Sequence, residues 1–187
     1  MGINWLAQAV GAIGVIAFIV SFQIKSNRAL LVIQLFADLM FCIQFVLLGA
    51  YSGCLSLAVM LLRNIILMYR EKAPWLRWNG WLWVLVGLTA VFTVITWDGL
   101  KSLLPLIAGV GSTIMFWRGN ARGYRSANLF CACPCWLTYD AIVGSYAGML
   151  NESITLISIL VSIFRFGWKA LGENSFEKET GGSTENR

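Results

Sequence analysis

The segment GAYSGCL at residues 49–55 returns 95 positions later as GSYAGML at residues 144–150. Four of the seven positions are identical. Each copy lies between two apolar runs, and its two glycines permit the positive φ that a tight reversal of the chain needs. Both segments are therefore predicted to be short turns between helices, at equivalent places of an internal repeat.

Seven apolar runs make up most of the chain. They span about residues 5–24, 29–48, 54–69, 79–97, 102–117, 126–143 and 150–168. Hydrophobic residues form 58% of the 187 residues and charged residues only 12%, whereas soluble domains have about 25% charged residues. Runs of this kind are typical of transmembrane helices. The sequence predicts an all-α, polytopic membrane protein with seven transmembrane helices.

The repeat indicates how these helices are arranged. The offset of 95 residues also places Arg70 on Arg165, each at the inner end of a third helix. Small residues three apart, which let helices approach closely, occur in the first helix of both triplets: Gly11 and Gly14, then Ala108 and Gly111.

An extra helix lies between the two triplets and determines their relative orientation. Three helices alone would invert the second copy, and a fourth restores the orientation of the first. We expect two parallel three-helix repeats joined by a linker helix, a 3+1+3 layout. The repeats are residues 1–70 and 99–168, the linker helix is residues 71–98, and the polar segment 169–187 is expected to be a disordered cytoplasmic tail.

The basic residues alternate between the connecting segments. Four segments contain them: Lys25 and Arg28; Arg70, Lys72 and Arg77; Arg118, Arg122 and Arg125; Arg165, Lys169, Lys178 and Arg187. The segments between them have no charge or one charge of each sign. The positive-inside rule then predicts a multi-pass protein of the inner (plasma) membrane with its N-terminus outside and its C-terminus in the cytoplasm.

Composition excludes several classes of site. The chain has no histidine, so it cannot supply a Ser-His-Asp triad, a His-ligated haem or a zincin site by itself. The net charge of +5 comes from basic residues scattered singly between apolar runs, which is not the pattern of a nucleic-acid interface. We expect no enzyme activity, no cofactor and no nucleic-acid partner; the lipid bilayer is the predicted environment, and the oligomeric state is left open.

Two charged residues fall inside predicted helices, Asp38 in the second and Arg63 in the third. A charge at mid-helix costs about 2.5–3.5 kcal/mol to insert, so pairing or a wet cavity is expected. The two residues form either a substrate or ion site or a buried salt bridge that locks the first triplet. Gln34, one turn from Asp38, and Asn64 would complete either network.

The second triplet has Cys133 and Ser158 at the positions equivalent to Asp38 and Arg63. It has its own acids, Asp140 and Glu152, near the predicted outer ends of helices six and seven. These acids would either attract a cation or lie in the headgroup region, and the second interpretation is favoured.

Helix six contains Cys131, Cys133 and Cys135 around Pro134. Without histidine or a second cysteine cluster, kinked packing at the proline is favoured over a metal site. Trp136 lies inside the same helix and is predicted to be a stacking wall for a ligand.

Several short motifs resemble those of the YgjV-type bacterial inner membrane proteins. They are WLAQ at residues 5–8, Asn27-Arg28, LLGAY at residues 47–51 and Arg63-Asn64. The resemblance covers about residues 5–168 and implies an inner membrane protein without a defined activity. The 3+1+3 layout resembles more distantly the SWEET and PnuC (MtN3-like) transporters, but no substrate-binding motif of that group matches residue by residue.

The most favoured function is a small-molecule transporter or facilitator. Its site would lie between the triplets and include Asp38, Arg63, Asn64 and Trp136, as side chains that contact a small-molecule substrate. The alternative is a non-transporting membrane scaffold or accessory subunit, in which the same polar residues hold helices together. A membrane-embedded enzyme is least favoured.

Overall fold

The structure is a computed structural model that describes residues 4–21, 27–70, 73–117 and 126–170. In these residues every regular element is helical, and seven α-helices are present. They are α1 (Trp5–Ser21), α2 (Asn27–Leu47), α3 (Tyr51–Tyr69), α4 (Gly80–Ile95), α5 (Leu103–Trp117), α6 (Cys133–Val143) and α7 (Tyr146–Ala170). The predicted all-α class and the number of helices are confirmed.

Short helical turns precede three of these helices. A 3₁₀ turn, Pro74–Arg77, precedes α4, and another, Leu100–Ser102, leads directly into α5. A π-helical turn, Asn128–Ala132, leads into α6. The expected cytoplasmic tail lies outside the described residues from residue 171 onward, as do Lys25, Lys72 and the arginines of the segment 118–125.

The two repeated segments form turns of the same geometry. Gly49 and Gly144 have φ values of 70° and 76°; Gly49 lies two residues after the end of α2, and Gly144 directly follows α6. The N–H of Ala50 donates to the carbonyl of Phe45 at 2.8 Å, and the N–H of Ser145 donates to the carbonyl of Asp140 at 2.9 Å. This bond from a residue to the fifth before it closes a helix around a left-handed glycine. Both turns therefore reverse the chain by the same glycine-dependent mechanism.

Six of the helices form a closed ring. Contacts join α1 to α2, α2 to α3, α3 to α5, α5 to α6, α6 to α7 and α7 back to α1. Helix α4 packs against α3 and α5 from outside this ring. The ring leaves a space at its centre that every helix except α4 faces.

Hydrogen bonds show which helix ends lie together. The Asn4 side chain donates to the carbonyl of Leu47 at 2.9 Å, and the Gln8 side chain donates to the carbonyl of Gly144 at 2.7 Å. The start of α1 and the ends of α2 and α6 therefore meet at one end of the bundle, which we call the turn end. At the opposite end, the loop end, Arg70 donates to Asn79 at 3.1 Å.

Apolar side chains cover the outside of the bundle, and polar ones lie inside. Large exposed residues such as Ile16, Val94 and Phe164 are 62%, 73% and 88% accessible, whereas Arg63 and Asp140 are each 2% accessible. This distribution is the reverse of that in a soluble domain. Two segments, Tyr51–Tyr69 and Leu100–Trp117, are long and apolar enough to cross a bilayer, and four shorter helices are also apolar.

Candidate functional site

A cavity of about 450 Å³ occupies the centre of the helix ring. Its walls come from α1, α2, α3, α5, α6 with its π turn, and α7. All seven residues that the sequence singled out as intramembrane polar or stacking residues line it: Gln34, Asp38, Arg63, Asn64, Trp136, Asp140 and Glu152. The structure thus brings together residues that are spread over four helices.

Arg63 lies on the buried face of α3 and reaches across to α5. Its guanidinium donates to the hydroxyls of Ser112 at 3.0 Å and Thr113 at 3.4 Å. It also donates from two nitrogens to the Asn64 side-chain oxygen, at 3.0 and 3.2 Å. The Phe116 ring lies under the guanidinium, 4.0 Å from its central carbon to the ring centroid. Arg63 therefore joins the first triplet to α5 of the second.

Asp38 lies on α2 at the same part of the cavity wall as Arg63. The two opposite charges lie close enough to interact electrostatically. Gln34, one turn before Asp38 on α2, also lines the cavity. The charge of Arg63 is thus opposed by one carboxyl group nearby and by a set of neutral hydrogen-bond acceptors.

Asp140 and Glu152 form a second charged region nearer the turn end. Asp140 is buried next to the Ser145 hydroxyl, and one of its oxygens, Oδ1, has no hydrogen-bond partner among the described residues. Glu152 contacts the Cys133 thiol and the Asn151 side chain and interacts electrostatically with Asp140. Both side chains line the central cavity, so they face the interior of the helix ring and not its apolar outer surface.

An aromatic cluster joins α2 to α6 beside the cavity. Phe45 of α2 stacks on Trp136 of α6, with ring centroids 5.8 Å apart and planes 20° from parallel. Tyr139 meets both rings edge-on, at 5.8 Å from Phe45 and 5.9 Å from Trp136. Trp136 therefore contacts Phe45 of α2 as well as Tyr139 of its own helix, and it forms part of the cavity wall.

The cysteine cluster of helix six is the site of a backbone distortion. The N–H of Cys133 donates to the carbonyl of Asn128, five residues earlier, which defines the π turn just before Pro134. Cys133 faces the cavity, while the Cys131 thiol donates to the carbonyl of Ile107 on α5. Within the described residues no group of three histidine, cysteine or acidic side chains is placed to hold a metal ion.

Several polar cavity residues were not assigned to the site from the sequence. They are Asn128, Asn151, Thr155 and Ser158. The repeat offset was the signal that points to Ser158, because it is equivalent to Arg63. Tyr139 was also missed, although its hydroxyl bonds to the Ser52 hydroxyl at 2.9 Å and accepts from the Gly53 N–H at 3.0 Å.

Comparison with known proteins places this architecture in a family. Residues 5–170 match the family model Imp-YgjV, described as a bacterial inner membrane protein. Inner membrane protein YgjV of Escherichia coli (strain K12) is 26% identical over 165 residues, which cover 88% of this chain and 86% of the relative. No solved structure matches the chain. The chain belongs to the Imp-YgjV family of bacterial inner membrane proteins, as the motifs in its sequence indicated.

Proposed function

We propose that this protein is a multi-pass transporter or facilitator that moves a small molecule through the central cavity. The observation that supports this most is a cavity of about 450 Å³ within a ring of helices, where charged and amide side chains lie among apolar ones while the exterior of the ring is apolar. Ligand sites commonly have volumes of about 300–1,000 Å³. Ionisable residues inside membrane helices typically mark a substrate or ion pathway.

The cavity also supports the 3+1+3 layout. Of its 21 lining residues, 14 form pairs separated by the repeat offset of 95. The pairs are Asp38 and Cys133, Phe41 and Trp136, Phe45 and Asp140, Leu57 and Glu152, Met60 and Thr155, Arg63 and Ser158, and Asn64 and Ile159. Equivalent faces of residues 1–70 and 99–168 thus line opposite walls, while α4, within the proposed linker 71–98, contributes no lining residue.

The helix ends favour parallel repeats. The ends of α2 and α6 lie together at the turn end, next to the start of α1. Helices α2 and α6 therefore run in the same direction, which an inverted repeat would not allow. Parallel repeats about one central site are a known plan for transporters that work by rocking one half against the other. Because the basic residues are concentrated in the segments 25–28, 70–77, 118–125 and 165–187, we place the N-terminus outside and the C-terminus in the cytoplasm.

No nucleotide-binding loop is present in the sequence, so we propose that transport is passive or coupled to an ion. The protein is not proposed to be an enzyme, because its sequence has no histidine and no recognisable catalytic motif. A non-transporting scaffold is the alternative. It is favoured by one observation, the hydrogen bonds of Arg63 to neighbouring side chains together with its contact to an aromatic ring.

Measurement of solute uptake distinguishes a transporter from a scaffold. The protein is purified, ligands are selected by thermal shift in detergent, and uptake of each hit is measured in proteoliposomes. Asn64→Ala should lower uptake without lowering expression, because Asn64 lines the cavity. The matched control is Asn79→Ala, at the loop end and outside the cavity walls. Equal loss of uptake and expression in Asn64→Ala, or uptake no greater than in empty liposomes for every hit, would support the scaffold.

A further inference from the structure

The ionisable groups of the cavity are unequal in number. Three carboxyl groups, those of Asp38, Asp140 and Glu152, line its walls, against the single guanidinium of Arg63 among the described residues. Lys101 pairs with Asp98 and does not line the cavity. With all four groups ionised, the cavity walls therefore have an excess of two negative charges.

The excess is concentrated near the turn end. Arg63 interacts electrostatically with Asp38, whereas Glu152 has the carboxyl groups of both Asp140 and Asp38 as like-charged neighbours. Asp140 is 2% accessible, and its Oδ1 has no hydrogen-bond partner in the described part of the chain. An unpaired buried carboxylate is costly, and a positive charge placed beside it offsets that cost. An anion or a neutral solute would leave both carboxylates uncompensated.

The size and walls of the cavity indicate what kind of cation fits. A volume of about 450 Å³ far exceeds that of an inorganic ion, and no described group of three ligands is placed to hold a metal. On α2, Asp38, Phe41 and Phe45 share one face at helical spacing. On α6, Cys133, Trp136 and Asp140 do the same. The acids thus flank an aromatic zone, which consists of Phe41, Phe45 and Trp136. The faces of aromatic rings attract organic cations.

We infer that the cavity binds a small organic cation, an amine or a quaternary ammonium, with the Asp140 and Glu152 carboxylates as counter-charges and the aromatic zone as its apolar wall. The inference rests on the proposed function in using the same cavity as the transport site. It adds the chemical class of the ligand and assigns the charge selectivity to the second triplet.

Binding of three solutes of one shape tests the charge requirement. Choline, the neutral alcohol 3,3-dimethylbutan-1-ol and the anion 3,3-dimethylbutanoate differ mainly in charge. Their Kd values for the purified full chain in detergent are measured by calorimetry, together with that of benzyltrimethylammonium as an aromatic cation. Choline should bind at least about tenfold more tightly than the alcohol, which corresponds to about 1.4 kcal/mol, and the anion most weakly. Equal affinity for the three solutes, or no binding of either cation, overturns the inference.

Carboxamide variants test the assignment to these two residues. Asp140→Asn and Glu152→Gln should each weaken choline binding about tenfold and leave the affinity for the alcohol unchanged. Asp98→Asn, which neutralises a carboxylate outside the cavity, should have no effect. Glu152 is less tightly enclosed than Asp140, so Glu152→Gln serves if Asp140→Asn does not fold. Choline binding equal to wild type in a folded carboxamide variant overturns the inference.

Flux separates this inference from the proposed function. Choline binding that depends on the two carboxylates, without uptake into proteoliposomes, contradicts transport and leaves the ligand class standing. Uptake of neutral solutes by a protein that binds no cation contradicts the ligand class and leaves transport standing.

Discussion

The first three helices and the last three share the same turn geometry but have different charged residues in the cavity wall. Both triplets reverse at a glycine with φ near 70°, and both close that turn with the same backbone hydrogen bond. In the first triplet, Asp38 interacts with Arg63, and the guanidinium is bonded to hydroxyls of α5. In the last, Asp140 and Glu152 are like charges, and no basic residue from the described part of that triplet lines the cavity. Backbone architecture and cavity charge are therefore separable properties of the two regions.

The second helix of each triplet shows a further difference. Helix α2 is continuous from Asn27 to Leu47, whereas the equivalent part of the last triplet begins with the π turn Asn128–Ala132 and is followed by Pro134. A π turn inserts one residue into the helical register and is frequent at functional sites. It lies where Asn128, Ala132 and Cys133 meet the cavity. The last triplet thus has the more irregular wall as well as the unpaired acids.

The largest expected loss of stability follows from removing the guanidinium of Arg63 in the first triplet. Arg63→Met should lower the free energy of unfolding by about 3–5 kcal/mol, because it leaves the Asp38 carboxyl and two hydroxyls without their partner. Ser158→Ala, at the equivalent and exposed position of the last triplet, should change it by no more than about 0.5 kcal/mol. Denaturation in mixed micelles measures both values. Equal losses would remove the proposed difference between the triplets.

A double-mutant cycle tests whether Asp38 and Arg63 of the first triplet are energetically coupled. Asp38→Asn combined with Arg63→Met should be less destabilising than the sum of the single changes, because each single change leaves the other residue without its opposite charge. Strictly additive losses in the same denaturation assay would show that the two residues do not act on one another.

The next largest loss of stability is expected at Gly53 and Gly148, where helices approach closely beside the two turns. A Cβ at Gly53 would lie 2.5 Å from a Tyr139 ring carbon, and one at Gly148 would lie 2.5 Å from an Asp140 carboxylate oxygen. Gly53→Ala and Gly148→Ala should therefore each cost about 1–3 kcal/mol. Gly87→Ala, where no atom lies within 4 Å, should be neutral or stabilise by up to about 1 kcal/mol. Unfolding midpoints of the three variants provide the measurement, and a neutral Gly53→Ala would contradict the packing.

Each turn is held by a side chain that comes from the other triplet, and removing either should have a similar, smaller effect. Tyr139→Phe leaves the Gly53 N–H without its hydroxyl acceptor. Gln8→Leu removes an acceptor for the Tyr146 N–H and a donor to the Gly144 carbonyl. Each change should cost about 1–2 kcal/mol, and Tyr51→Phe, at an exposed tyrosine, close to nothing. A large cost for one turn and none for the other would show that the two turns are not equivalent.

The smallest effect is expected at the helix distortion. Pro134→Leu places at this exposed site the residue found at the equivalent Leu39 of α2. The change in unfolding free energy should stay within about 0.5 kcal/mol, because no core contact is lost. The same denaturation assay checks it, and a loss as large as that of Gly53→Ala would mean that the proline determines the shape of the last triplet.

Much of the fold was predictable because helices in an apolar environment follow the runs of apolar residues. The expected span 102–117 corresponds to α5, Leu103–Trp117, and the expected span 54–69 to α3, Tyr51–Tyr69. The π turn was not predicted, since an apolar run has the same composition whether its helix is regular or contains an extra residue. Pro134 indicated a kink in the right helix but not the type of turn.

The candidate residues themselves were determined by the sequence, because a charge or amide inside an apolar run is costly and therefore conspicuous. The repeat likewise identified both turns, since each depends on a local glycine conformation. Only the tertiary structure decided what these residues face. That Arg63 reaches Ser112, that Phe45 stacks on Trp136 and that Asp140 lies buried beside the cavity depend on contacts between distant helices. Such contacts follow from how the ring closes, and periodicity along one helix contains no information about which neighbour its polar face will meet.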